Sequence, residues 1–113
     1  MPSIRMVGTG TIEHVASEIY NTIVNGSITG EVMLDVSTTF DNGKSRMIVF
    51  EKYYYRAGNR ASLSVLLTQI EDRVTVDAVS TGGSTGVLIK FNWGAESSFV
   101  GLVEKTLRRI GFK

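Results

Sequence analysis

Cysteine is absent from the 113 residues, which removes disulfides, thiolate nucleophiles, iron–sulfur clusters and thiolate zinc sites together. Such a chain gains nothing from an oxidising compartment, and a cytoplasmic location is expected. Net charge is nearly absent too. Twelve Lys and Arg stand against 11 Asp and Glu, a formal +1, whereas nucleic-acid domains carry a strong basic excess to displace counterions from phosphate. Nucleic acid is therefore not an expected partner. Nor is a membrane: no stretch approaches bilayer length, and the first ten residues, interrupted by Arg5, lack the continuous apolar core of a signal peptide. The one proline, Pro2, lies outside every periodic segment, and there is no internal repeat or low-complexity tract.

What is present describes a small globular chain. An apolar fraction of 42% and a charged fraction of 20% indicate neither disorder nor a charged tail. The length suits one core, so residues 1–113 are expected to form a single domain.

Periodicity supplies the elements. Ile4, Met6 and Gly8 alternate with Arg5 and Val7, a short strand ending at Gly8-Thr9-Gly10. Ile12, Val15, Ala16, Ile19, Tyr20, Ile23 and Val24 then recur at helical steps, with Thr11 placed to cap the first turn and Asn25-Gly26 to end the helix in a left-handed residue. Over residues 31–40 the period changes to two. Val32, Leu34, Val36, Thr38 and Phe40 form the expected core side, and Met33, Asp35, Ser37 and Thr39 the other. Asp41-Asn42-Gly43-Lys44 suits a hairpin turn with positive φ. Residues 45–56 alternate with apolar side chains on both faces, which implies either a central strand covered on both sides or a bulge near Glu51 and Lys52.

After the turn Ala57-Gly58-Asn59-Arg60, residues 62–70 and 74–81 read as two further strands, and 87–93 as a last one beyond the loop Gly82-Gly83-Ser84-Thr85-Gly86. Phe99, Leu102, Val103, Leu107 and Ile110 mark a second amphipathic helix closed by Gly111. The prediction is an α+β fold, an antiparallel sheet of five to six strands in the order β-α-β-β-β-β-β-α, with both helices on one face.

Chemistry is sparse. A serine nucleophile would need a histidine base oriented by a carboxylate, and His14, the only histidine, falls on the polar side of the first helix four residues before Glu18, where a solvated surface pair is the simpler reading. No metal-binding spacing occurs. Asp35, Glu51 and Asp77 lie within strands where burial could raise a carboxyl pKa, but each reads more simply as an outward-facing residue. An inward Glu51 would need a partner such as Arg60. The glycine-rich loop after the fifth strand lacks the following Lys and helix of a phosphate loop. No cofactor is implied. The most suggestive segment is Tyr53-Tyr54-Tyr55-Arg56-Ala57-Gly58-Asn59-Arg60, because aromatic rings and guanidinium groups give contact area at low entropic cost. Tyr53, Tyr55, Arg56, Asn59 and Arg60, with Trp93, are the candidate ligand-binding or interface residues, and no residue stands out as catalytic.

The run from Val49 through Glu51-Lys52-Tyr53 and Arg56-Ala57-Gly58-Asn59-Arg60 to Leu63, with Asn25-Gly26-Ser27 before it and Ser80-Thr81-Gly82-Gly83-Ser84 after it, resembles a family of short bacterial proteins classed as a domain of unknown function. That resemblance implies a bacterial source and carries no activity. The element order is also similar to an abbreviated helix-grip fold, which implies a hydrophobic ligand, although the final helix is short and one N-terminal helix stands where two are usual.

Two functions follow as expectations. The first is a non-enzymatic protein that pairs with itself, as a homodimer, or with another protein through the partly apolar outer sheet face, where Met33, Leu66 and Leu88 fall. The alternative is a binder of a small hydrophobic or aromatic ligand between the sheet and the C-terminal helix, lined by Phe91, Trp93, Phe99, Tyr53 and Tyr55. An enzyme built on carboxylate, Tyr and Arg alone is less supported than either.

Overall fold

The computed structural model describes residues 3–25, 30–54, 59–82 and 99–113. Among them, β1 (Ser3–Thr9) leads into α1 (Ile12–Ile23), followed by β2 (Glu31–Phe40), β3 (Gly43–Tyr54), β4 (Asn59–Ile70) and β5 (Arg73–Gly82). A second helix, α2, occupies residues 99–109. The strands form one antiparallel sheet in the order β1-β5-β4-β3-β2. The strands β2 to β5 are thus the expected meander, and β1 lies beside β5. The strand expected at residues 87–93 lies outside the described residues.

Alternation decides the core. In β4 and β5, Ala61, Leu63, Val65, Leu67, Val74, Val76, Ala78 and Ser80 are buried and the residues between them are not. On β3 the same side carries Ile48 and Phe50. Val15, Ile19 and Ile23 of α1 and Phe99, Val103 and Leu107 of α2 join this one cluster, so both helices pack on the same face. Each such side chain, fully withdrawn from water, contributes about 1.5–3 kcal/mol. Thr22 and Thr106, whose hydroxyls lie 2.8 Å apart, tie the two helices together, as does Arg109 donating to Glu18 at 2.8 Å. Glu18 is therefore paired across the helix interface and not with His14, which is exposed.

The caps behave as their chemistry requires. The Thr11 side chain accepts from the His14 amide at 3.2 Å, and Gln69 of β4 accepts the free Ile12 amide at 2.9 Å, which pins the start of α1 to the sheet. After α2, Gly111 adopts φ 96°, the left-handed residue that lets a helix stop. The helix α1 ends through Val24, whose φ is −90° and whose amide donates to Tyr20 O; Gly26 lies outside the described residues.

Three strand expectations are corrected. The turn at Asp41-Asn42 forms without positive φ; among the described non-glycine residues only Glu71, in the β4–β5 hairpin, has one, at 55°. Gly43 is required for a different reason: a Cβ there would lie 2.3 Å from the Gln69 carbonyl oxygen. Of the two readings of β3, the interior position holds, between β2 and β4, and not the bulge: its register with β4 runs unbroken from Gly43 to Tyr54, and the bulge is on β2 at Met33, between Val32 and Leu34. And β2 has no core side, since all ten of its residues are exposed. The bulge shifts the alternation by one, so that Leu34, Val36, Thr38 and Phe40 take the outer face, opposite the helices, and Asp35 takes the helix side.

Candidate functional site

The outer face of the sheet and its β2 edge form the surface with the least ordinary character. Registers across the strands place Leu34, Val49, Ser64 and Val79 in one row, and Val36, Met47, Leu66, Asp77 and Arg5 in the next. The apolar members adjoin one another over the β2–β3–β4 side of the face. Toward β1 they border a shallow depression of about 370 Å³ lined by Met47, Leu66 and Val79 with Arg5 and Asp77. There Arg5 donates to Asp77 through Nε at 2.6 Å and Nη2 at 3.2 Å. That hydrogen bond, before simple attraction, raises the Arg5 pKa above its already high value.

At the β2 edge, Val36 is 49% exposed, Leu34 43% and Phe40 41%. Beneath them, on the helix side, lies a cluster that the sequence did not point to. Arg46 of β3 grips Asp35 through Nε at 2.8 Å and Nη2 at 2.7 Å, while the Tyr20 hydroxyl of α1 donates to Asp35 Oδ2 at 2.5 Å. The guanidinium also stands over the Tyr20 ring at 5.7 Å, within cation–π range, and the same ring meets Phe50 edge-on at 5.5 Å. The hydrogen bonds from Arg46 hold the Asp35 carboxyl below its ordinary range, against a partial burial that pushes the other way. Burial first, and then the bond to Asp35, raises the Tyr20 phenol. Asp35 is thus neither an outward-facing residue nor a raised carboxyl, and its geometry suits fixing β2 to α1 better than proton transfer. Only the bulge at Met33 brings it to this side, and no residue pattern in the sequence announces that bulge.

Of the predicted site residues, Tyr53, Asn59 and Arg60 are described, and they adjoin at one end of the β3–β4 pair. Tyr53 is on the outer face, opposite Arg60 across the β3–β4 register. Glu51 faces outward, as the simpler reading has it, and Arg60, expected as its partner only for an inward carboxylate, donates to it at 3.0 Å in an exposed ion pair. Asn59 pairs its backbone with Tyr54. Tyr55, Arg56 and Trp93 lie outside the described residues, as does Leu88. Among the described residues, no group of three or more His, Asp and Glu is arranged to hold a metal ion, and no helix is long and apolar enough to cross a membrane.

A family model matches residues 1–111 of this α+β chain. The chain belongs to a family of unknown function (DUF6054). No curated protein matches the sequence. Membership in DUF6054 thus fixes the kinship suggested by the residues around Tyr53 and Arg60 and assigns no chemistry to the surface just described.

Proposed function

We propose that this member of DUF6054 acts without catalysis, by association between protein chains, and that its first partner is a copy of itself. One observation carries the reading: on the sheet face opposite the helices, the exposed Leu34 and Val36 of the edge strand adjoin the half-buried Met47, Val49 and Leu66, and no other described element covers them. Contiguous apolar surface of this kind on a small chain marks an interaction site more often than chance. The ligand-binding alternative draws less support. Of its lining residues, Phe99 is fully buried in the helix–sheet core and Tyr53 lies on the opposite face of the sheet, so the two cannot share one pocket.

Light scattering on the size-exclusion peak tests the proposal directly. The expected mass at tens of micromolar is that of a dimer, falling toward the monomer on dilution. A strict monomer at millimolar concentration would refute it.

A further inference from the structure

The β2 edge contains its own symmetry. Two features bound the regular part of the strand: the bulge at Met33 on one side and the Asp41-Asn42 turn on the other. Between them lie residues 34–40, and the middle of that segment is Ser37. Counting back from the two-residue turn, Phe40, Thr38, Val36 and Leu34 direct their backbone groups toward β3, while Thr39, Ser37 and Asp35 direct theirs away from the sheet. The outward set is likewise centred on Ser37.

We propose that two copies of the chain pair β2 to β2, antiparallel, about a two-fold axis through Ser37, so that their sheets continue into one another. This rests on and deepens the reading above by naming the edge and the register. A two-fold places Ser37 opposite Ser37 of the second copy, Asp35 opposite Thr39, Val36 opposite Thr38 and Leu34 opposite Phe40. The outward amides and carbonyls of the two strands then satisfy one another, and Leu34 and Phe40 extend the apolar outer face of one copy into that of the next.

Charge favours a second copy over a charged partner. The only ionisable side chain in the paired segment, Asp35, has its carboxylate held by Arg46 and Tyr20 of its own chain. An axis through Asp35 would oppose two carboxylates, whereas the axis through Ser37 sets each against a threonine. A formal charge of +1 per chain adds little mutual repulsion. Within residues 34–40 the edge carries neither Lys nor Pro, and the bulge that could turn an edge away lies outside the paired segment, at Met33.

The absence of cysteine makes the register measurable by cross-linking. In oxidising buffer Ser37→Cys is expected to form a disulfide-linked dimer, because directly opposed residues bring their Cα atoms to about 5.5 Å, within disulfide reach. Thr39→Cys is expected to stay unlinked, because two copies of position 39 would sit four residues apart, about 13 Å. Both are substitutions of exposed residues on an edge strand, and circular dichroism verifies that each variant keeps the fold. A wild-type dimer in which Ser37→Cys fails to link, or Thr39→Cys links equally well, overturns this pairing and leaves the association reading standing. A wild-type chain that is monomeric throughout overturns both.

Discussion

The two edges of the sheet end in opposite ways. At β1, seven residues long, Lys113 donates its amide to the Val7 carbonyl at 3.0 Å, and the ring of Phe112 lies so close over Gly8 that a Cβ there would come within 2.3 Å of it. The strand also bears an arginine, Arg5. At β2, ten exposed residues carry no such contact from the described residues, and its apolar side chains face water. Unpaired strand edges invite pairing with other chains, and proteins blunt those they do not use. One edge here is blunted by Phe112 and Lys113. The other has no such cover among the described residues, and the contrast can be broken from either side.

The largest effect is expected at the closed edge. Phe112 is 3% exposed and packs on Gly8, so Phe112→Ala should cost about 3 kcal/mol, from lost burial and the cavity left behind. Gly8→Ala attacks the same contact from the sheet side and should cost roughly 1–3 kcal/mol, because the ring must move. Since both changes disrupt one contact, the double variant should lose less than the sum. Chemical denaturation of the four proteins checks this, and strict additivity would show that Phe112 and Gly8 are not coupled.

How much of this was legible beforehand differs along the chain. Where a strand is covered by helices, as with Leu63, Val65 and Leu67 of β4, period-two alternation gave the correct face, because burial enforces the pattern. Both helix stripes were readable for the same reason. At β2 the alternation was equally clean but misleading: an uncovered strand places no penalty on either face, and the bulge at Met33 exchanges them. The Tyr20–Asp35–Arg46 cluster was hidden by that exchange, since its members come from three elements and meet only in the shifted register. Arg60 was expected beside Glu51 only if that carboxylate turned inward; Glu51 faces outward and takes the same arginine in an exposed pair.

A smaller effect is expected where the open edge is fastened to the body. The side chains of Asp35 and Arg46 are each about one quarter exposed, at 25% and 24%, so Arg46→Met should cost roughly 1–2 kcal/mol. Because the folded-state pKa of Asp35 lies below its unfolded value, the stabilisation is present above about pH 4 and is lost as pH falls through the folded value. Urea midpoints followed from neutral pH toward pH 2 should therefore decline less steeply in Asp35→Asn than in wild type. Parallel declines would mean that the bonds from Arg46 and Tyr20 contribute nothing to the edge.

The smallest effect on the isolated fold is expected at Val36, and it is the most informative. Val36 is 49% exposed, so Val36→Lys should change the stability of the monomer by no more than about 0.5 kcal/mol. A lysine is, however, the kind of guard that the strand lacks. If two copies pair through β2, wild type gains stability with protein concentration by mass action, while Val36→Lys does not. The two proteins should then unfold alike when dilute and diverge as concentration rises. A large loss of stability in the dilute variant would instead place Val36 in the core of the single chain, and the distinction between the two edges would fail.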